Sequence, residues 1–412
     1  MKKIKLGDVL EVRRGASLAG EYYSEQGNLI RLTLGNFNYP RGGFQDNTSK
    51  KNIYFVGSVN PAFILKAGDI ITPLTEQVSG LLGETATIPE SRKYVQSGDI
   101  GLVIPDEKKI DKRFAYYLIS SPVVRKQLDA AAQQTKIRHT SPDAIKACEA
   151  WIPENISSQR SIGKLLDALD TKIALNKKIN ATLETIAKTL YDYWFVQFDF
   201  PDENGKPYKT SGGKMIYCSK LGRNIPANWE IVSLSTIATV IQGNSPDGST
   251  LNETGEGMIF FQGKTDFGFR FPEIRIYTTA PYRLAEKFDT LLSVRAPVGD
   301  VNMAHEKCCI GRGLAAIYSD YPSFVYYTLK KLKPCFEKIG NIGTTFDSIT
   351  KDDVMTLKIC IPPTELIKNF ENLVSKFDKE IFNKTDESHQ LAELRNWLLP
   401  MLMNGQVDFK EI

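Results

Sequence analysis

Histidine is scarce: the chain has three among 412 residues, and none lies in a serine- or cysteine-nucleophile signature. The six cysteines are scattered, which suits a reducing compartment. His305, Cys308 and Cys309 have no second ligand pair at zinc spacing, so buried thiols describe them better than a metal site. No apolar run approaches the ~18 residues of a membrane-spanning helix. The start, MKKIKLGDVL, is basic but carries no apolar core of secretory length. A cytoplasmic protein without a membrane partner is expected. There is no phosphate-cradling G-x-x-x-x-G-K-[ST] loop. An adenine methyltransferase would need an Asn/Asp-Pro-Pro-Tyr/Phe loop for the flipped base, and the nearest stretch, Asn60-Pro61-Ala62-Phe63, has Ala62 in place of the second proline. The chain is thus expected to hold no catalytic residue, no metal and no cofactor of its own.

The totals are ordinary: 42% hydrophobic and 24% charged residues fit a soluble protein of two or three domains. A net charge of +4 permits a nucleic-acid partner without arguing for one. Gly311-x-Gly313-x-x-Ala316 outlines a dinucleotide-binding turn, which needs a strand before it and a helix after it. The residues that follow leave too little room for a helix before Asp320 and Pro322 intervene, and Ala315 to Tyr318 read better as another strand. A tight strand-to-strand turn is the better expectation.

The chain repeats itself. IKLGDVLEVRRGAS (Ile4 to Ser17) aligns with VSLSTIATVIQGNS (Val232 to Ser245), so that Leu6 meets Leu234, Val12 meets Val240 and Gly15 meets Gly243. RFAYYLI answers SFVYYTL, Trp151-Ile152-Pro153 answers Cys360-Ile361-Pro362, and Leu183, Ile186 and Leu190 answer Leu391, Leu394 and Leu398. Each half has a front of short apolar runs bounded by turn residues, then a helical back. Residues 201–228 are polar and rich in turn formers and read as a connection. Apolar positions Leu165, Leu169, Leu183, Ile186 and Leu190 recur at helical spacing, with no proline or glycine from Lys164 to Phe200. The second copy offers Phe370, Phe377, Leu391, Leu394 and Leu398, with Pro400 expected to end or kink it. A helix of about 35 residues would be ~50 Å long. Such a stripe calls for a partner of similar length, and the other copy supplies one.

The loops of the two front parts are rich in Arg, Lys, Asn, Gln, Ser and Thr, residue types that read base edges and grip phosphates. Examples are RLTLGNFNYPRGG (Arg31 to Gly43) and FFQGKTDFGFR (Phe260 to Arg270).

With the repeat, the helices and these loops together, the sequence resembles the specificity subunit of type I restriction-modification enzymes. SVRAPVGDVN, CIGRGLAAI, GTTFDSITKDDVMTLKICIPP and the helical stretch from Ile156 to Phe195 carry the resemblance, which covers nearly the whole chain. The first half departs from it, having LTEQVSG where the second has RAPVGD. The resemblance implies an α+β fold: two mixed α/β target recognition domains separated by two long antiparallel helices forming a coiled coil, with an internal pseudo-two-fold repeat. The expected boundaries are domain 1 over 1–153, a central spacer helix over 154–200, a linker over 201–228, domain 2 over 229–362 and a distal helix over 363–412. It further implies double-stranded DNA and two methyltransferase subunits as partners, with a restriction and translocase subunit besides. S-adenosylmethionine, ATP and magnesium would belong to those partners.

On this reading Arg31, Asn36, Asn38 and Arg41 of the first domain and Gln262, Lys264, Arg270 and Arg295 of the second are candidate base readers. Lys136, Arg138, Thr344 and Thr345 are candidate contacts to the DNA backbone. Alternatives are the specificity subunit of a related bipartite-site system (type IIB or IIG), a stand-alone methyltransferase or nuclease, and a helical scaffold with no DNA role.

Overall fold

The computed structural model describes residues 1–39, 42–76, 80–132, 138–342 and 348–407. It divides into two compact units, one of residues 1–175 with 388–412, the other of residues 176–387.

In the first unit, strands Lys2–Lys5 and Glu149–Ile152 pair antiparallel, Lys3 opposite Trp151. A four-stranded sheet follows in the order Leu10–Arg14, Ile100–Pro105, Ile70–Pro73, Ala86–Thr87. A second sheet has the order Tyr23–Ser24, Tyr54–Phe55, Leu29–Arg31, Tyr94–Val95, its last pair parallel. Helices Lys112–Ile119 and Pro122–Ala131 are amphipathic and bury Phe114, Leu118, Val124 and Leu128 in the core with Leu6, Val12 and Ile70.

The second unit is built on the same plan. Strands Glu230–Ser233 and Lys358–Ile361 pair antiparallel, Ile231 opposite Cys360. One sheet runs Thr239–Gln242, Leu314–Tyr318, Thr290–Ser293, Val301–Met303. The other runs Leu251–Asn252, Ile276–Thr278, Met258–Phe261, Cys308–Ile310, Leu284–Ala285, again with one parallel pair. Val12 faces Val103 in the first unit and Val240 faces Ile317 in the second, so the aligned residues of the repeat hold matching register positions. Residues 201–228 hold a hairpin of Met215–Cys218 and Arg223–Pro226. Phe198, Phe200 and Trp229 pack together on either side of it, the Phe200 and Trp229 rings 5.7 Å apart, and join the core of this unit.

Two long helices contribute to both units: the central helix, Ile156–Tyr191 (36 residues), and the distal helix, Thr364–Met403 (40 residues). Asn155 Oδ1 caps the first by accepting from Ser157 N at 2.8 Å. At Gly163 a Cβ would lie 2.9 Å from Phe114 N, so only glycine lets the helix against Lys112–Ile119 approach this closely.

The buried face of these helices differs from the expected stripe. In the central helix it is Ile162, Leu166, Ile173, Asn176, Asn180, Ala187 and Tyr191, with Leu165, Leu183 and Leu190 at its margin packed on the cores and Leu169 half-buried. Ile186 is 47% exposed and Leu394 42% exposed, which corrects both as packing residues. The reason is that two asparagines occupy buried turns, so a stripe traced through apolar residues alone slips to the adjacent face. In the distal helix Phe370 is fully buried, Phe377 and Leu398 pack against the cores and Leu391 is half-buried. Pro400 does not end this helix. Leu402 and Met403 lie beyond it, 1% and 2% exposed, and their burial offsets the lost backbone bond. Gly405, at φ +67°, follows the end of the helix.

Candidate nucleic-acid interface

In the second unit four loops leave the same end of the two sheets, and backbone bonds tie them together. Asn244 N donates to Ile310 O at 3.0 Å, Gly311 N to Phe261 O at 2.8 Å and Val294 N to Gly313 O at 2.9 Å. A Cβ at Gly243 would lie 2.2 Å from Gly311 O, and one at Gly313 2.6 Å from Gln262 O. The glycines that outline a dinucleotide turn therefore let neighbouring loops touch, between strands Cys308–Ile310 and Leu314–Tyr318. Cys308 and Cys309 are fully buried in the first of these strands, and burial pushes the Cys308 thiol up to about 12. No group of metal-ligating side chains occurs among the described residues.

Several candidate base readers sit on this cluster. Gln262 is exposed and its Nε2 donates to Ser245 Oγ at 3.1 Å, the same oxygen that accepts from Arg312 N at 3.2 Å. Arg295 is exposed, its backbone bridged to Ser348. Lys264 is ion-paired with Asp300, which also accepts from Lys333 Nζ at 2.7 Å.

Arg270 is not on the surface. It is 1% exposed, donates to Glu184 Oε2 at 2.8 Å and to Asp378, and lies 3.6 Å over the Tyr326 ring. A guanidinium in such a place balances two buried carboxylates and is closed to a base, which corrects its assignment as a reader.

The first unit has the corresponding cluster. Ala16 N donates to Gln96 O at 3.0 Å, Leu32 N to Val95 O at 3.0 Å and Leu74 N to Asp99 O at 2.8 Å. A Cβ at Gly15 would lie 2.2 Å from Ser97 O, the same close approach as at Gly243. Here Arg31 is 8% exposed, its guanidinium 3.9 Å over the Tyr23 ring and its Nε donating to Asn52 O at 3.3 Å. Asn36 is 1% exposed, accepting from Thr33 N at 2.9 Å and donating to Gln45 O at 3.1 Å. Both are therefore corrected: their polar groups are used in holding the loop. Asn38 is half-buried, its backbone N donating to Gly43 O at 2.9 Å and its carbonyl accepting from Gly42 N at 2.6 Å. Arg138 pairs with Glu76 at 2.8 Å and Asp129 at 2.7 Å. Arg41, Lys136, Thr344 and Thr345 lie outside the described residues. Arg13 and Arg14, in the loop stretch RRG whose residue types already point to DNA contact in the sequence, are exposed next to Gly15, and Arg312, which the sequence reading passes over, is exposed between Gly311 and Gly313 in the second unit. Their signal is adjacency to the glycine at which loops meet.

The model of the "Type I restriction modification DNA specificity domain" matches residues 1–185 and 226–391. The chain belongs to this family. It is a specificity subunit of a type I restriction-modification system, and such subunits are non-catalytic and recognise DNA. A stand-alone methyltransferase is not favoured. Among its relatives is a protein of Methanocaldococcus jannaschii named "Putative type I restriction enzyme MjaX specificity subunit", 31% identical over 341 residues, covering 80% of this chain and 76% of the relative. The HindI specificity subunit of Haemophilus influenzae is 23% identical over 384 residues, covering 76% and 81%. The crystal structure of the S subunit of a type I system from M. genitalium covers 99% of this specificity subunit and 96% of that chain, with TM-score 0.63 at 15% identity, a likeness of fold. No described helix of the specificity subunit is long and apolar enough to cross a membrane.

Proposed function

We propose that each unit reads one half of a split DNA target through its loop cluster, and that the two long helices pair as an antiparallel coiled coil that sets the unread gap. Helices of 36 and 40 residues are roughly 54 and 60 Å long, ample to set readers about one turn of B-DNA (~34 Å) apart or a multiple of it. The observation that carries this reading is the duplicated loop cluster: Gly15 and Gly243 hold matching places in two sheets of the same strand order. Gln262, Lys264 and Arg295, with Arg13, Arg14 and Arg312, are the side chains offered to the duplex. The internal repeat suits two copies of one methyltransferase subunit, which bring S-adenosylmethionine and modify adenine. A restriction subunit using ATP and magnesium completes the assembly in the cytoplasm.

Sequencing the methylated bases of the host with and without this gene tests the reading. A bipartite adenine-methylated motif should vanish on deletion. An unchanged methylome, or methyl incorporation from S-adenosylmethionine by the purified chain alone, overturns it.

A further inference from the structure

The stretch SVRAPVGDVN forms a built turn between strands Thr290–Ser293 and Val301–Met303. Ser293 Oγ donates to Pro297 O at 2.8 Å and accepts from Asp300 N at 3.0 Å, while Gly299 N donates to Ser293 O at 2.9 Å. Gly299, at φ +90°, lies where a Cβ would be 3.2 Å from Lys333 Cγ. This packing delivers the Asp300 carboxylate, its side chain 21% exposed, to the ammonium groups of Lys264 and Lys333 together. Burial raises the Asp300 carboxyl, yet the two lysines bring it below its usual range. The carboxylate is therefore charged at neutral pH and occupies two cations on the face that carries Gln262 and Arg295.

A reading face with every cation free binds any duplex, because phosphate contact is independent of sequence. An acidic side chain placed between two lysines lowers that gain. We propose that Asp300 is a specificity-determining residue: it competes with DNA phosphate for Lys264 and Lys333, so that random duplex gains little from either lysine. A target that offers Lys264 a base acceptor at the correct place compensates for the exchange, and a misplaced phosphate does not. The inference rests on the DNA-reading function above and names a negative group within it.

The test uses the chain co-purified with its methyltransferase subunits and a random-sequence duplex, with affinity measured across a salt series. Asp300→Asn keeps the shape and the backbone bond to Ser293. It should tighten random-duplex binding about ten-fold at 0.1 M salt and steepen the logarithmic salt slope by about one to two. Adding Lys264→Met to Asp300→Asn should remove much of that gain, which a loosened fold would not do. Asp300→Ser serves as the second variant, removing the charge with a smaller side chain, and should move affinity and slope in the same direction. If the unaltered complex binds duplex and neither variant changes affinity or slope, the role of Asp300 is overturned while the DNA-reading function stands. A complex that binds no duplex at any salt overturns both.

Discussion

At the scale of the residue, chemical type and environment separate sharply in this chain. Arg31, Asn36 and Arg270 have the side chains expected of base readers, yet all three are buried and bonded to protein. Sequence shows what a side chain can bond to but not which partner it meets, because the partners of Arg270 come from positions as distant as Glu184 and Asp378. Removing one member of such a set leaves charge buried without balance, which costs about 3–5 kcal/mol. Arg270→Met should therefore lower the melting temperature of the second unit and speed amide exchange in the segment around Phe271. Adding Glu184→Gln and Asp378→Asn to Arg270→Met should restore part of the loss, since the stranded carboxylates are then gone. Calorimetry with hydrogen exchange reads both effects, and an unchanged melting profile for Arg270→Met would show that the buried charges contribute nothing to the fold.

At the scale of the element, the long helices were legible as helices because apolar residues recur at helical spacing with no proline or glycine from Lys164 to Phe200 or from Glu365 to Leu399, and the strands because short apolar runs alternate with turn residues. Their facing was less legible. Asn176 is fully buried and donates to Glu387 Oε2 at 3.0 Å, and Asn180 is 6% exposed and donates to Thr385 Oγ1 at 3.1 Å. Polar residues on a helix normally mark its wet side, so a pattern built on hydrophobicity assigns these turns to solvent. Buried asparagines in a helix seam give up stability and select one register, because a slipped pairing leaves their amides without partners. Asn176→Leu combined with Asn180→Leu should raise the thermal midpoint of the chain, by about 1 kcal/mol or more of stability. The same change should loosen spacing: methylated sites in the host should then show more than one gap length around the same half-sites. A single gap length together with a lowered midpoint would count against a register role for these residues.

At the scale of the whole molecule, duplication was the most legible feature of all, since matched motifs kept their order along the chain. The line between the two units was not, because it crosses both helices, at residues 175–176 and 387–388, where neither helix shows a break. That line decides where a length test belongs. An insertion between Leu183 and Leu190 would displace Glu184 from Arg270 or Tyr191 from its bond to Thr328 at 3.0 Å, and so damage the second unit itself. Seven residues inserted after Leu175, matched by seven after Glu387, leave the contacts inside each unit intact. Seven helical residues keep the heptad phase and add about 10 Å. At 3.4 Å per base pair that is about three base pairs of duplex. Methylome sequencing of a host carrying the lengthened chain should return the same two half-sites with a gap about three base pairs longer. Half-sites that change while the gap stays fixed would mean that the helices do not measure DNA.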